Sequence, residues 1–158
     1  MIDRRLLKNQ RVFIDLTDEE LSVISTITEE GKFKHGETIF KTTDEGRSIY
    51  LIRSGEVKVC VAAPNGELFT LTILKEGDAF GEMSFIDATA RSATVIAISD
   101  VELFVIDGAS FETIIDGNPQ IVHKFMRNII RNIHSIVRGM NARYLEMVNY
   151  MWGRKRFC

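Results

Sequence analysis

The chain has 158 residues, 45% of them hydrophobic and 27% charged, with a formal net charge of −2, an ordinary globular composition long enough for one domain with a real core. It excludes a membrane-spanning helix, because no apolar run approaches the ~18 to 20 residues that a bilayer requires. Two cysteines, Cys60 and Cys158, exclude a disulfide framework or a cysteine zinc site, and "MIDRRLLKNQ" carries charge without the apolar stretch of a secretory signal, so a reducing cytoplasm is the expected location.

The first segment, "DRRLLKNQ", is compatible with a short helix. "LTDEELSVISTITEEGKF" opens with Thr17 and Glu20 at capping-box spacing, and Leu21, Ile24 and Ile27 follow at helical spacing before Gly31. This predicts a helix over about residues 18–29. From Lys32 the period changes to two. Apolar and polar residues alternate, glycines at 36, 46, 55, 66 and 77 punctuate them, and short strands with turns between them argue for an antiparallel all-β roll or jelly roll. "PNGE" at 64–67 marks a hairpin with Asn65-Gly66 at its tip. "ATVIAISDVELFVID" at 93–107 adds two strands, and Cys60 falls within a strand as a small packing residue. "GASFETIIDGNP" reads as a short helix ending near Gly117. From Pro119, a favoured first-turn residue, Val122, Phe125, Ile129, Ile133, Ile136, Met140, Tyr144 and Met147 recur in steps of three and four. The resulting helix reaches Tyr150, roughly 45 Å at 1.5 Å per residue. So long an apolar stripe exceeds what a small roll can cover, and a homodimer through residues 119–150 is expected. The layout is therefore N-terminal helices over 1–31, a roll over 32–107 and C-terminal helices over 108–158.

Charge is unevenly spread. Residues 1–118 hold 12 basic and 21 acidic side chains, and residues 119–158 hold 8 basic and 1 acidic. A basic tail on an acidic body is open to nucleic acid or an anionic surface, or is a solvated helix face with cations near its C-terminus. Trp152 and Phe157, with Arg154, Lys155 and Arg156, form either a surface anchor or a frayed end.

One stretch breaks the strand rhythm. "GEMSFIDATARSATV", residues 81–95, occupies the place of a tight turn and carries one carboxylate, Glu82, and one guanidinium, Arg91. "EMSF" is suited to one helical turn with free N–H groups for an anion. Arg91 sits among small residues that admit a ligand, and its fork suits a phosphate. Glu82 only accepts hydrogen bonds and would repel a phosphate, so it calls for a donor such as a sugar hydroxyl. The pair is thus either a nucleotide site or a surface salt bridge of little consequence.

"GDAFGEMSFIDATARSATV" resembles the phosphate-binding cassette of the cyclic-nucleotide-binding domain family. The Gly-Glu pair, the apolar turn, and the arginine followed by two small residues, Ser92 and Ala93, match the pattern without a gap. "SGEVKV" at 54–59 and the order of helices and roll extend the resemblance over nearly the whole chain. It implies that Arg91 holds a cyclic phosphate with help from Gly81, from N–H groups around Met83 and Ser84, and from Ser92 and Ala93. It also implies that Glu82 accepts from the ribose 2′-hydroxyl. The family's frequent proline before the arginine is Ala90 here. In the similar catabolite-activator-type regulators the long helix reads the base with polar residues. The matching stretch here, "NIHSIVRGM", places Asn132, Ile136 and Val137 there, so an apolar lid with Val59 and Leu71 against the base is expected. Those regulators continue into a DNA-reading helix-turn-helix module, and no such module is expected here.

His123 and His134 lie eleven apart rather than at the i,i+3 or i,i+4 spacing of a helical metal pair. No nucleophile elbow or carboxylate pair argues for an enzyme. The expected function is signal transduction without a cofactor, by binding cyclic AMP or cyclic GMP, with cyclic AMP favoured, and with output to a downstream protein. A ligand-free dimerising scaffold and a basic-helix nucleic-acid binder are the alternatives.

Overall fold

The computed structural model describes residues 2–153. Cys158 and the basic residues Arg154, Lys155 and Arg156 with Phe157 lie outside the described residues. Two 3-10 turns, Arg4–Leu7 and Arg11–Phe13, precede α1 (Asp18–Ser25). Then come β1 (Thr28–Phe33), β2 (Thr38–Phe40), β3 (Ser48–Ser54), β4 (Val57–Ala62), β5 (Leu68–Leu74) and β6 (Ala79–Phe80). A six-residue helix, α2 (Glu82–Asp87), leads into β7 (Thr94–Ala97) and β8 (Val101–Asp107). The chain closes with α3 (Gly108–Ile115) and α4 (Pro119–Trp152).

The strands form two four-stranded sheets, ordered β1-β8-β3-β6 and β2-β7-β4-β5, with every pairing antiparallel. This is the expected roll flanked by helices. The Asn65-Gly66 tip is in place: Gly66 takes φ +86°, and the Ala63 N–H donates to the Glu67 carbonyl at 2.8 Å. Between the sheets, Ile52, Val57, Leu74, Phe80, Val95 and Leu103 form one core. A second core lies under the helices, where Leu7, Phe13, Leu21, Ile24, Phe111 and Phe125 pack on Ile49, Leu51, Phe104 and Ile106 of the outer sheet.

Two expectations change. The Thr17–Glu20 capping box forms, but the helix stops at Ser25 and not near residue 29. Thr26, Ile27 and Thr28 are β-branched and poorly suited to extend it, and Thr28 through Phe33 gain a full antiparallel ladder on β8. Gly31 is a strand residue, not a stop; a Cβ there would stand 3.4 Å from Val105 Cγ2. The roll therefore begins four residues before Lys32. The second change concerns α4, 34 residues and about 51 Å long. Its apolar stripe is not left over for a second copy along its whole length. Phe125 and Ile129 are buried in the chain's own core, Val122 and Ile133 pack against that core, and Ile136 packs on the core between the sheets. Only the distal end of the stripe, including Tyr144 and Met147, is exposed. A different row, Ile130, Val137, Tyr144 and Met151, is exposed at spacings of seven. No helix among the described residues is long and apolar enough to cross a membrane.

The root of α4 is fastened by charge. Lys124 Nζ donates to Glu20 Oε1 at 2.6 Å, and Asn128 Nδ2 donates to Asp15 Oδ1 at 2.7 Å and to the Val12 carbonyl at 3.0 Å. Arg127 pairs with Asp15. The Asn128 hydrogen bond, with Arg127 beside it, holds the Asp15 carboxyl below its ordinary range in spite of partial burial. Burial alone would raise Glu20, but Lys124 and the Thr17 hydrogen bonds outweigh it and lower that carboxyl too. Groups whose folded pKa is depressed stabilise fully above the unfolded carboxylate range and lose that contribution as pH falls through the folded values. Thermal unfolding followed by circular dichroism should therefore show Tm falling between about pH 5 and pH 2, with a shallower fall in Asp15→Asn. An unchanged slope in that variant would remove Asp15 from the acid response.

Candidate functional site

The excursion between β6 and β7 is built around Arg91. Gly81 ends β6 in the left-handed region at φ +82° and caps α2. A Cβ there would stand 2.7 Å from Arg91 Nη1 and 2.9 Å from the Ser48 carbonyl, so the position requires glycine for its conformation and for the close approach. The first helical bond of α2 runs from the Phe85 N–H to the Gly81 carbonyl at 3.2 Å. The amides of Glu82, Met83 and Ser84 thus precede any intrahelical partner. α2 ends at Ala88, also left-handed at φ +59°, and small residues carry the chain to Arg91.

The loop between β2 and β3 clamps the arginine's backbone. The Arg91 N–H donates to the Asp44 carbonyl at 2.9 Å, and the Thr43 N–H donates to the Arg91 carbonyl at 2.8 Å. Thr43 reaches this position at φ +74°, a strained conformation for a β-branched residue. The guanidinium is folded inward. Nη1 donates to the Gly81 carbonyl at 3.1 Å and Nη2 to the Ser48 carbonyl at 2.9 Å. Arg91 is 4% exposed, and its Cζ lies 4.3 Å above the centre of the Phe40 ring. Phe40, Tyr50 and Phe80 form an aromatic floor, with Tyr50 and Phe80 stacked at 5.1 Å. Arg91 Nε is buried without a hydrogen-bond partner.

Among the described residues, every hydrogen-bond partner of this guanidinium is a neutral carbonyl. Arg91 and Glu82 do not form the surface salt bridge that was one reading of the sequence; they line one cavity of about 220 Å³. Burial shifts the two in opposite directions, toward their neutral forms. It pushes the Glu82 carboxyl up, with its own backbone N–H and the Arg91 charge only partly offsetting this. It pushes the Arg91 guanidinium down, opposed by Tyr50, Glu82 and Asp44. A half-buried acceptor and a buried donor that form no direct ion pair with each other call for a ligand that presents both an anion and a hydroxyl.

The far wall is apolar. In the β4–β5 ladder Val59 pairs with Thr72 and Cys60 with Thr70, so Leu71 is the extra residue of a β-bulge. The bulge lets two adjacent residues, Leu71 and Thr72, both line the cavity, opposite Ile136 and Met140 from α4.

Of the residues singled out in the sequence, Val59, Leu71, Gly81, Glu82, Met83, Ser84, Arg91, Ser92, Ala93 and Ile136 all line this cavity. Asn132 does not. It is buried, and its Nδ2 reaches back to the Ala79 carbonyl at 3.5 Å. Val137 points to solvent on the exposed row of α4. The lining residues that sequence reasoning missed include Phe40, Thr72 and Met140. Met140 stood one turn past Ile136 in the same stripe, the one available signal, but that stripe was assigned to a second copy. Among the described residues no group of three or more His, Cys, Asp and Glu is placed to hold a metal ion.

The cAMP-dependent protein kinase regulatory subunit of Dictyostelium discoideum is 33% identical over 153 residues, which is 93% of this chain and 47% of that protein. The Cyclic AMP receptor protein of Thermus thermophilus is 29% identical over 127 residues, 80% of this chain and 59% of that protein. The chain thus spans about half the length of the curated relatives it matches. The crystal structure of Thermus thermophilus Catabolite Activator Protein superposes with a TM-score of 0.72 at 27% identity, covering 87% of this chain and 64% of that one. A family model, the cyclic nucleotide-binding domain, matches residues 30–118, from within β1 to the residue before α4 and across the whole Arg91 excursion. With that match over more than half its length, the chain belongs to the cyclic nucleotide-binding domain family.

Proposed function

We propose that the chain is a cytoplasmic, non-catalytic sensor that binds a 3′,5′-cyclic purine nucleotide in this cavity and transmits occupancy to α4. The buried Arg91 carries this reading: among the described residues its Nε has no hydrogen-bond partner and its guanidinium no direct ion pair, and a partly desolvated carboxylate lines the same cavity. A cyclic phosphate supplies the missing negative charge to Arg91, with the amides of residues 82–84 and the Ser92 hydroxyl around it. Glu82 accepts from the ribose 2′-hydroxyl. The base lies against Val59, Leu71, Ile136 and Met140. Cyclic AMP is the favoured ligand, because that wall is apolar apart from the Thr72 hydroxyl and because two relatives bear cyclic AMP in their names.

Transmission runs through aromatic packing. Phe85, on the cassette helix, meets Phe111 of α3 edge-on at 5.1 Å and Phe125 of α4 edge-on at 5.8 Å. A shift of α2 toward a phosphate therefore moves the contacts that seat α4, and the ligand biases α4 by its differential affinity for the two arrangements. α4 in turn presents Ile130, Val137, Tyr144 and Met151. Such a row supplies one of the two heptad positions of a left-handed coiled-coil seam, and we assign the homodimer to this face of α4. The response then passes to a downstream protein.

Calorimetric titration tests the ligand. Wild type should bind cyclic AMP, and Arg91→Ala should weaken binding at least ~30-fold, in line with a loss of about 2 to 5 kcal/mol for one partner of a buried charge pair. An unchanged dissociation constant would overturn the phosphate assignment. The 2′-deoxy analogue should bind wild type worse, yet lose little more in Glu82→Ala; an equal deoxy penalty in both would remove Glu82 from the ribose. A preference for cyclic GMP above about tenfold, ~1.4 kcal/mol, would transfer Ser92 from the phosphate to the base.

Sedimentation tests the seam. Wild type should sediment as a dimer at tens of micromolar, and Ile130→Glu with Val137→Glu should give monomers that still bind nucleotide. Dimers that survive both substitutions would move the interface elsewhere.

A further inference from the structure

We propose that Arg143 is a positioning residue for the nucleotide, a latch that holds α4 across the cavity by gripping the β-bulge at Leu71. The proposal rests on the nucleotide reading of the cavity. Buried side chains on α4 end at Asn132, and the half-buried Ile133 is the last residue of the helix to pack against the core under the helices. Further along, the half-buried Ile136 and Met140 line the cavity and Arg143 Nη2 donates to the Leu71 carbonyl. Steps of four and three from Ile136 to Met140 to Arg143 put all three on one edge of the helix. Gly139 interrupts this span, and nothing lies within 4 Å of where its Cβ would stand. A mid-helix glycine weakens the helix where no packing compensates.

The acceptor is available for a reason visible in the ladder. β5 is an edge strand, and the bulge leaves Leu71 outside the paired register. Its carbonyl is therefore free for a side-chain donor. One end of this hydrogen bond lies in a wall of the cavity, and the other is on the helix that forms the opposite wall. Leu71 lines one side, while Ile136 and Met140, on the segment that Arg143 tethers, line the other. A nucleotide that leaves between α4 and β5 has to part them, and the Arg143 bond breaks when they part. Loss of the latch should thus act on escape more than on entry.

The test uses the full chain and a fluorescent cyclic AMP analogue chased with excess cyclic AMP. Arg143→Ala should speed dissociation about 5- to 20-fold, with association changed less than about twofold, as expected for one charge-assisted hydrogen bond. Arg143→Lys, which can still donate to a carbonyl, should recover most of the residence time. Arg138→Ala, an exposed residue away from the cavity, should leave it unchanged. Hydrogen exchange read by mass spectrometry on ligand-free protein gives a second readout, with faster exchange over residues 133–143 in Arg143→Ala. Wild-type binding with unchanged dissociation and exchange in Arg143→Ala overturns the latch. So does an Arg143→Lys variant that matches alanine in both rate and lowered Tm, because the residue then acts only on stability. If wild type binds no cyclic nucleotide while exchange still quickens in Arg143→Ala, the clasp between α4 and β5 stands and the nucleotide reading falls.

Discussion

A guanidinium held out of water, with only neutral carbonyls and aromatic faces around it, sets the terms for the rest of this molecule. Taking a full charge into the interior is costly unless dipoles and a counter-ion replace the lost hydration. The protein supplies the dipoles. Gly81 and Ser48 present their carbonyls, Phe40 presents its ring, and the strained turn at Thr43 pins the Arg91 backbone so that the side chain cannot relax outward. Among the described residues none forms a direct ion pair with it. The requirement for glycine at 81, the left-handed ends of α2 and the run of small residues before Arg91 all follow from bringing backbone close to that one side chain.

The roll and the helices share this burden differently. The two sheets close an apolar core that fixes the aromatic floor beneath Arg91 and the bulge at Leu71. The helices pack on the opposite face, and Phe85 is where the two systems meet, since it belongs to the cassette and packs among Phe111 and Phe125. α4 therefore has three distinct stretches. Its root is locked by Asp15 and Glu20 to the N-terminal segment. Its middle covers the cavity with Ile136 and Met140. Its distal end projects with large apolar side chains exposed. A helix anchored at one end and lightly held over the cavity can move at its midpoint without unfolding its root.

Much of this was legible in the residues themselves. Thr17 and Glu20 announce a helix start because a capping box closes within four residues. Asn65-Gly66 announces a hairpin because only a few residues tolerate its backbone. The cassette was legible for a different reason: Gly81, Glu82 and Arg91 lie within eleven consecutive positions, so one short quotation contains the charged chemistry of the site. The end of α1 was not legible, because Ile27 continues the helical period and only the β8 ladder, over seventy positions away, draws Thr28 into a strand.

The sequence by itself determined the alternation that makes the roll, the glycine turns, the long C-terminal helix and the charged pair of the site. All of these rest on local conformational preference and spacing along the chain. Only the tertiary structure decided which face of α4 is buried, because Ile129 and Val137 are equally apolar and differ only in what lies opposite them. It also decided that Asn132 turns toward the Ala79 carbonyl and away from the cavity, and that Met140 and Thr72 join its wall. The bulge that sets Leu71 free for Arg143 arises from a register between β4 and β5 that no local pattern specifies. Each of these is settled by which neighbour a side chain meets across the fold, and that is a property of packing between distant segments.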